Sequence, residues 1–157
     1  MSIQKVREYF KGFGIEDRIR EFDISSATVE LAAIAVGVEG ARIAKSMSFK
    51  IGEEPIIIVM AGDAKVDNSR YKAQFHTKAT MLTPEQVLDF TGHAVGGVCP
   101  FGIDNPAVTT YLDVSLRRFD TVYPAAGNAA SAVRLSCGEL DILSNSSGWI
   151  DVCKNWS

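Results

Sequence analysis

Lys45–Gly62 reads KSMSFKIGEEPIIIVMAG: an alternating run, a turn and an unbroken apolar run. In the first run Met47, Phe49 and Ile51 share one face, and Ser46, Ser48 and Lys50 share the other. That period of two is what a half-buried strand requires. GEEP, at 52–55, supplies the turn, and the apolar run after it lacks polar alternation, as in a strand covered on both faces. Two strands joined by so short a turn lie antiparallel. Lys45 has the parity of Met47. If the strand begins at Ser46, Lys45 reaches water along its stem. If the strand includes Lys45, its ammonium sits on the apolar side, where it needs a carbonyl, carboxylate or phosphate partner.

Outward from the hairpin the chain alternates between helical and strand-like segments. Ile3, Val6, Phe10 and Phe13 recur at helical spacing, with Ser2 as cap and Gly14 as stop. Thr28 to Gly37 encloses a second helix, and Asp67 caps a third that runs to about Phe75. Thr83, Pro84 and Gln86 form a capping box with proline at the first helical position. VTTYL, FDTVY and SAVRL read as strands, Ser136 and Glu139 form a second capping box, and WIDVC closes as a last strand. Several strand pairs have only short turns between them, which excludes a purely parallel sheet. The expected fold is an α/β (α+β) arrangement: a mixed, curled sheet with helices packed around it. No repeat or linker breaks residues 1–157, so one domain is expected.

Hydrophobic residues make up 46% of the 157 residues and charged residues 22%, a globular balance with no apolar run of membrane-spanning length. The charged, amphipathic N-terminus is unlike a secretory signal. Three cysteines without a C-x-x-C pair count against a disulfide framework or zinc site, and point to a cytoplasmic location. No metal and no cofactor is expected. Sixteen Lys and Arg against nineteen Asp and Glu give a net charge of −3. Proteins that grip long nucleic acid through phosphates are usually basic, so no DNA partner is expected, and contact with RNA would be confined to a short end.

The chemistry-bearing stretch is GHAVGGVCPFG, Gly92–Gly102. Adjacent Gly96 and Gly97 ahead of Pro100 suit a loop whose N–H groups face an anion or a developing oxyanion. A plain tight turn is the competing reading. Cys99 beside His93 has the composition of a thiol nucleophile and its base. A small buried cysteine is the more economical reading, with His93 as a helix-end or surface residue. His76 reads as a surface histidine. Arg117 and Arg118 read as a solvated pair, and Trp149 and Trp156 as packing residues.

Lys45 ahead of the strand, Gly62-Asp63 at the end of the next, the GG-V-C-P-F-G loop and the AAG segment Ala125–Gly127 occur in that order. This pattern resembles the YbaK/ProX family, stand-alone aminoacyl-tRNA editing domains related to the insertion domain of bacterial prolyl-tRNA synthetases. The resemblance implies a barrel-like mixed sheet surrounded by helices. It also implies a hydrolase that cleaves the ester of a mischarged small amino acid on tRNA, with tRNA-Pro the expected carrier. The expected partners are the aminoacyl-tRNA acceptor end and a prolyl-tRNA synthetase. Lys45 and Gly97 match the family's catalytic positions. Gly96, Val98, Cys99, Pro100, Phe101 and Gly102 match its substrate loop, with Ser46, Gly62, Asp63, Gly127 and Asn128 bordering the same cleft. Two positions depart from the common pattern: Cys99 stands where many relatives carry Ser or Thr, and Asn128 where many carry a basic residue. A module that binds an aminoacyl end, a nucleotide or a synthetase without hydrolysis is the alternative.

Overall fold

The computed structural model describes residues 2–156. Helix α1 (Ser2–Lys11) turns Val6 and Phe10 into the core, and a 3₁₀ turn leads to strand β1 (Ile19–Glu21). Helix α2 (Val29–Val36) starts where the Thr28 hydroxyl accepts the Leu31 N–H, and it ends at Gly37 in the left-handed region. The hairpin β2 (Ile43–Ile51) and β3 (Glu54–Ala61) follows. Then come β4 (Lys65–Val66), α3 (Asn68–Phe75) and α4 (Pro84–Thr91). Asp67 caps α3, and Thr83 and Gln86 complete the box at α4. The C-terminal third holds β5 (Thr109–Asp113), β6 (Thr121–Pro124), β7 (Ser131–Val133) and β8 (Leu135–Ser136). Helix α5 (Cys137–Leu143), with its own capping box, and β9 (Trp149–Ile150) and β10 (Cys153–Lys154) complete the chain.

Six strands form the main sheet in the order β8-β6-β2-β3-β5-β9. The central hairpin and the β6–β8 pair are antiparallel, whereas β2–β6, β3–β5 and β5–β9 are parallel. The sheet is mixed and curls into a half-barrel with the helices around it. Two small antiparallel pairs, β1–β7 and β4–β10, form separate two-stranded sheets. The β3 residues from Ile56 to Ala61 are all buried, as expected of a strand covered on both faces. Each large side chain among them contributes on the order of 2 kcal/mol through burial.

One alternative left open by the sequence is resolved, and three local expectations are corrected. The strand carrying Lys45 begins at Ile43, so the lysine stands inside it. Ser2 belongs to α1 instead of capping it, and its hydroxyl binds Nδ1 of His93. SAVRL breaks at Arg134 into β7 and β8, because the chain there leaves one partner, β1, for another, β6. WIDVC is two short strands for the same reason: Ile150 pairs in the main sheet and Cys153 pairs with β4.

Candidate active site

A cavity of about 510 Å³ opens where β2 runs out of neighbours. Its walls come from the 26–32 segment including the start of α2, from β2 (Ile43–Ser48), from the entry to α4, from the glycine loop and from the ends of β6 and β7. The β2–β6 pairing stops at Ala44. Further along the same edge the Ser48 carbonyl accepts the Leu82 N–H, and the Lys50 N–H donates to the Thr80 carbonyl. Backbone groups alternate along a strand, so the even-numbered residues of β2 face this edge. The main chain of Ser46 lies in the gap between the two partners, exposing an N–H and a C=O to the cavity. Its Oγ is also buried without a hydrogen-bond partner among the described residues. A buried hydroxyl with no partner costs free energy of about 1–3 kcal/mol.

Lys45 lines the same cavity. It pairs in register with Met60, and its Nζ donates to the Gly62 carbonyl at 3.4 Å. Burial holds its pKa below the ordinary lysine value; Cys153 opposes that shift, and the positive charge of Lys65 adds to it. The site therefore presents a half-desolvated amine whose single hydrogen-bond partner among the described residues is a carbonyl, beside an open strand edge. This is a donor set suited to a polar, oxygen-rich group whose apolar remainder sits against Val29, Ala32, Met47 and Val87.

The glycine loop supplies Val95, Gly96 and Val98 to the wall. Gly96 has φ +95°, a conformation that side chains rarely adopt. Gly97 faces away: its N–H donates to the Ala94 carbonyl at 3.0 Å, closing a turn. A methyl group at Gly97 would lie 2.6 Å from the Asn128 Cα, so this loop and the 125–128 segment touch backbone to backbone. Among the described residues the N–H groups of Gly96 and Val98 have no hydrogen-bond partner. The same holds for Val95, the third loop residue on the wall, whereas the N–H of Gly97 is already engaged.

Of the residues singled out from the sequence, Lys45, Ser46, Gly96 and Val98 are brought together on the cavity wall. Cys99, Pro100 and Phe101 are buried behind the loop, with Phe101 edge-on to Phe10 at 4.9 Å. Gly102 packs on the α1 backbone at Lys5, and Gly127 on that at Ile3 and Ser2. Asn128 accepts the Ala130 N–H in a local turn. Gly62 and Asp63 follow the end of β3; Asp63 is gripped by Arg118 through two contacts of 2.6 and 2.9 Å, which hold its carboxyl below the usual range. Ser48, Val95 and Ala125 also line the cavity. The polar parity of Ser48, which is buried, was legible as a strand pattern but carried no signal of a cavity.

His93 corrects the expectation of a surface or capping residue: it is fully buried. Its Nε2 lies 2.7 Å from the Phe101 carbonyl, which only accepts, so Nε2 carries the hydrogen and Nδ1 accepts from Ser2. The Cys99 Sγ stands 3.6 Å from that same Nε2, which is already committed and cannot take the thiol's proton. Burial pushes the Cys99 thiol up to about 12. This pair is structural, stapling the glycine loop to α1. Among the described residues no group of three or more His, Cys, Asp or Glu is placed to hold a metal, and no helix is long and apolar enough to cross a membrane.

Residues 25–142 match the aminoacyl-tRNA editing domain. The chain belongs to that family. It is 52% identical to an uncharacterized protein, YwhH, of Bacillus subtilis (strain 168), over 99% of both chains. It is 29% identical over 93 residues to the proline–tRNA ligase of Thermotoga sp. (strain RQ2), a match covering 59% of this chain and 16% of the ligase. A solved structure of a chain proposed to be a trans-editing enzyme for prolyl tRNA synthetase superposes with a TM-score of 0.87 at 28% identity, covering 98% and 97% of the two chains. The cavity thus lies in an editing-domain fold. Its wall combines the lysine-led strand with the glycine loop, the two motifs most informative in the sequence.

Proposed function

We propose that this editing domain is an aminoacyl-tRNA deacylase, which hydrolyses the ester of a mischarged small amino acid on tRNA, with tRNA-Pro the expected carrier. The observation that supports this reading is the convergence on one cavity of Lys45, the open strand edge at Ser46 and the loop residues Gly96 and Val98, whose N–H groups have no hydrogen-bond partner among the described residues. At about 510 Å³ the cavity exceeds the needs of a small amino acid alone. It suits an aminoacyl group together with part of the terminal adenosine. The open edge at Ser46 offers a carbonyl acceptor for the α-ammonium of the amino acid. Val29, Ala32 and Val87 bound the space for its side chain, excluding large ones by sterics.

In the reaction a water oxygen attacks the ester carbonyl carbon, and the carbonyl electrons move to its oxygen. Lys45 and the loop N–H groups stabilise that oxyanion. Its collapse breaks the bond to the ribose oxygen. The water's proton reaches that leaving oxygen through the neighbouring ribose hydroxyl, releasing the free amino acid and an intact 3′ end. Substrate assistance of this kind removes the need for a protein general base. It is consistent with the buried, committed state of His93. The test is deacylation of tRNA-Pro carrying Ala, Cys or Ser. Turnover of at least one member is the expected result; binding of all three without hydrolysis would favour a non-catalytic module instead.

A further inference from the structure

Lys65 and Lys154 are direct partners in the small β4–β10 pair, so their side chains project from the same face of that ribbon. Both are exposed, and neither has a side-chain partner among the described residues. Like charges directly opposite one another destabilise a strand pair, and a chain of net charge −3 has carboxylates to spare. The acidic groups nearby are committed elsewhere. Asp63 is held by Arg118, Asp151 by Arg70 at 3.0 Å, and Asp67 caps α3. The ribbon is also close to the cavity. The carbonyl bound by Lys45 belongs to Gly62, three residues before Lys65, a chain span of roughly 11 Å at most.

We infer that Lys65 and Lys154 form a phosphate-binding subsite for the single-stranded 3′ end of the RNA whose terminal residue enters the Lys45 cavity. This rests on the editing reading and deepens it by assigning the side from which the strand arrives. A polyanion there would relieve the cross-strand repulsion. It would also supply the grip on RNA that the net charge does not. Arg117 and Arg118, the basic pair evident in the sequence, are poorly placed for this role, because Arg117 lies over the Trp149 ring and Arg118 is bound to Asp63.

The test uses an uncharged, fluorescein-labelled RNA hairpin ending in single-stranded CCA, titrated with the full chain at several KCl concentrations. Wild type is compared with Lys65→Ala, Lys154→Ala, the double variant and Lys154→Glu, and with Lys11→Ala at the end of α1 as a control. The double variant is expected to bind several-fold more weakly and to lower the salt slope by about 1.4, since each lysine–phosphate pairing removed from a single strand lowers it by about 0.7. Lys154→Glu is expected to weaken binding while raising Tm, because it converts a repulsive cross-strand pair into an attractive one. A merely structural lysine would not produce these opposite movements. Binding and salt slope unchanged in the double variant would overturn the subsite and leave the editing reading standing. Absence of RNA binding by wild type at low salt would overturn both.

Discussion

The site depends on how single groups are left paired or unpaired. Lys45 and Ser46 are adjacent on β2, yet among the described residues the amine has a lone carbonyl partner and the hydroxyl has none. Cys99 is the opposite case: a thiol pushed up to about 12, packed behind the loop. Cys99→Ala is therefore expected to retain deacylation while losing about 1 kcal/mol of stability to the cavity it leaves. Turnover and urea denaturation check this; loss of turnover in a folded variant would restore the thiol as a nucleophile. The lysine was legible because a charge with apolar parity in a strand demands an explanation. The burial of His93 was not legible. Nothing in its neighbours in sequence shows that Ser2, 91 positions away, would meet its ring.

At the level of elements, the glycine loop is held from behind by α1 and from the side by the 125–128 segment. Gly97 is the tightest point of that packing. Gly97→Ala would drive a methyl into the Asn128 backbone, which has no flexible end to yield. The expected cost is about 1–3 kcal/mol in denaturant unfolding, together with reduced turnover as the Gly96 and Val98 donors are displaced. Wild-type stability in this variant would contradict the close approach. The helices with capping boxes and the central hairpin were legible because caps and periodicity are local. The β9 and β10 boundary was not, since WIDVC reads as one strand until its two halves find different partners. The open edge at Ser46 was equally hidden, because a missing partner is a property of topology.

For the whole molecule, the staple between α1 and the loop makes stability depend on pH. Burial lowers the pKa of His93 below its ordinary value of 6.5, so the unfolded chain binds its proton more readily than the folded one. The His93 contribution is thus complete above about pH 6.5 and declines as pH falls below it, toward the folded-state pKa. The carboxyls of Asp63 and Glu139, also lowered by their partners, add losses only at more acidic pH. Unfolding free energy measured at pH 7.5 and 5.5 is expected to drop for wild type and to change less in His93→Gln. Equal drops would remove the histidine from the account.

The most direct measurement of the central claim is single-turnover deacylation of mischarged tRNA-Pro by wild type and Lys45→Ala, with folding of the variant verified by its melting curve. Wild type is expected to hydrolyse one small aminoacyl ester, and the folded variant to lose that hydrolysis. Undiminished hydrolysis by Lys45→Ala would contradict the claim.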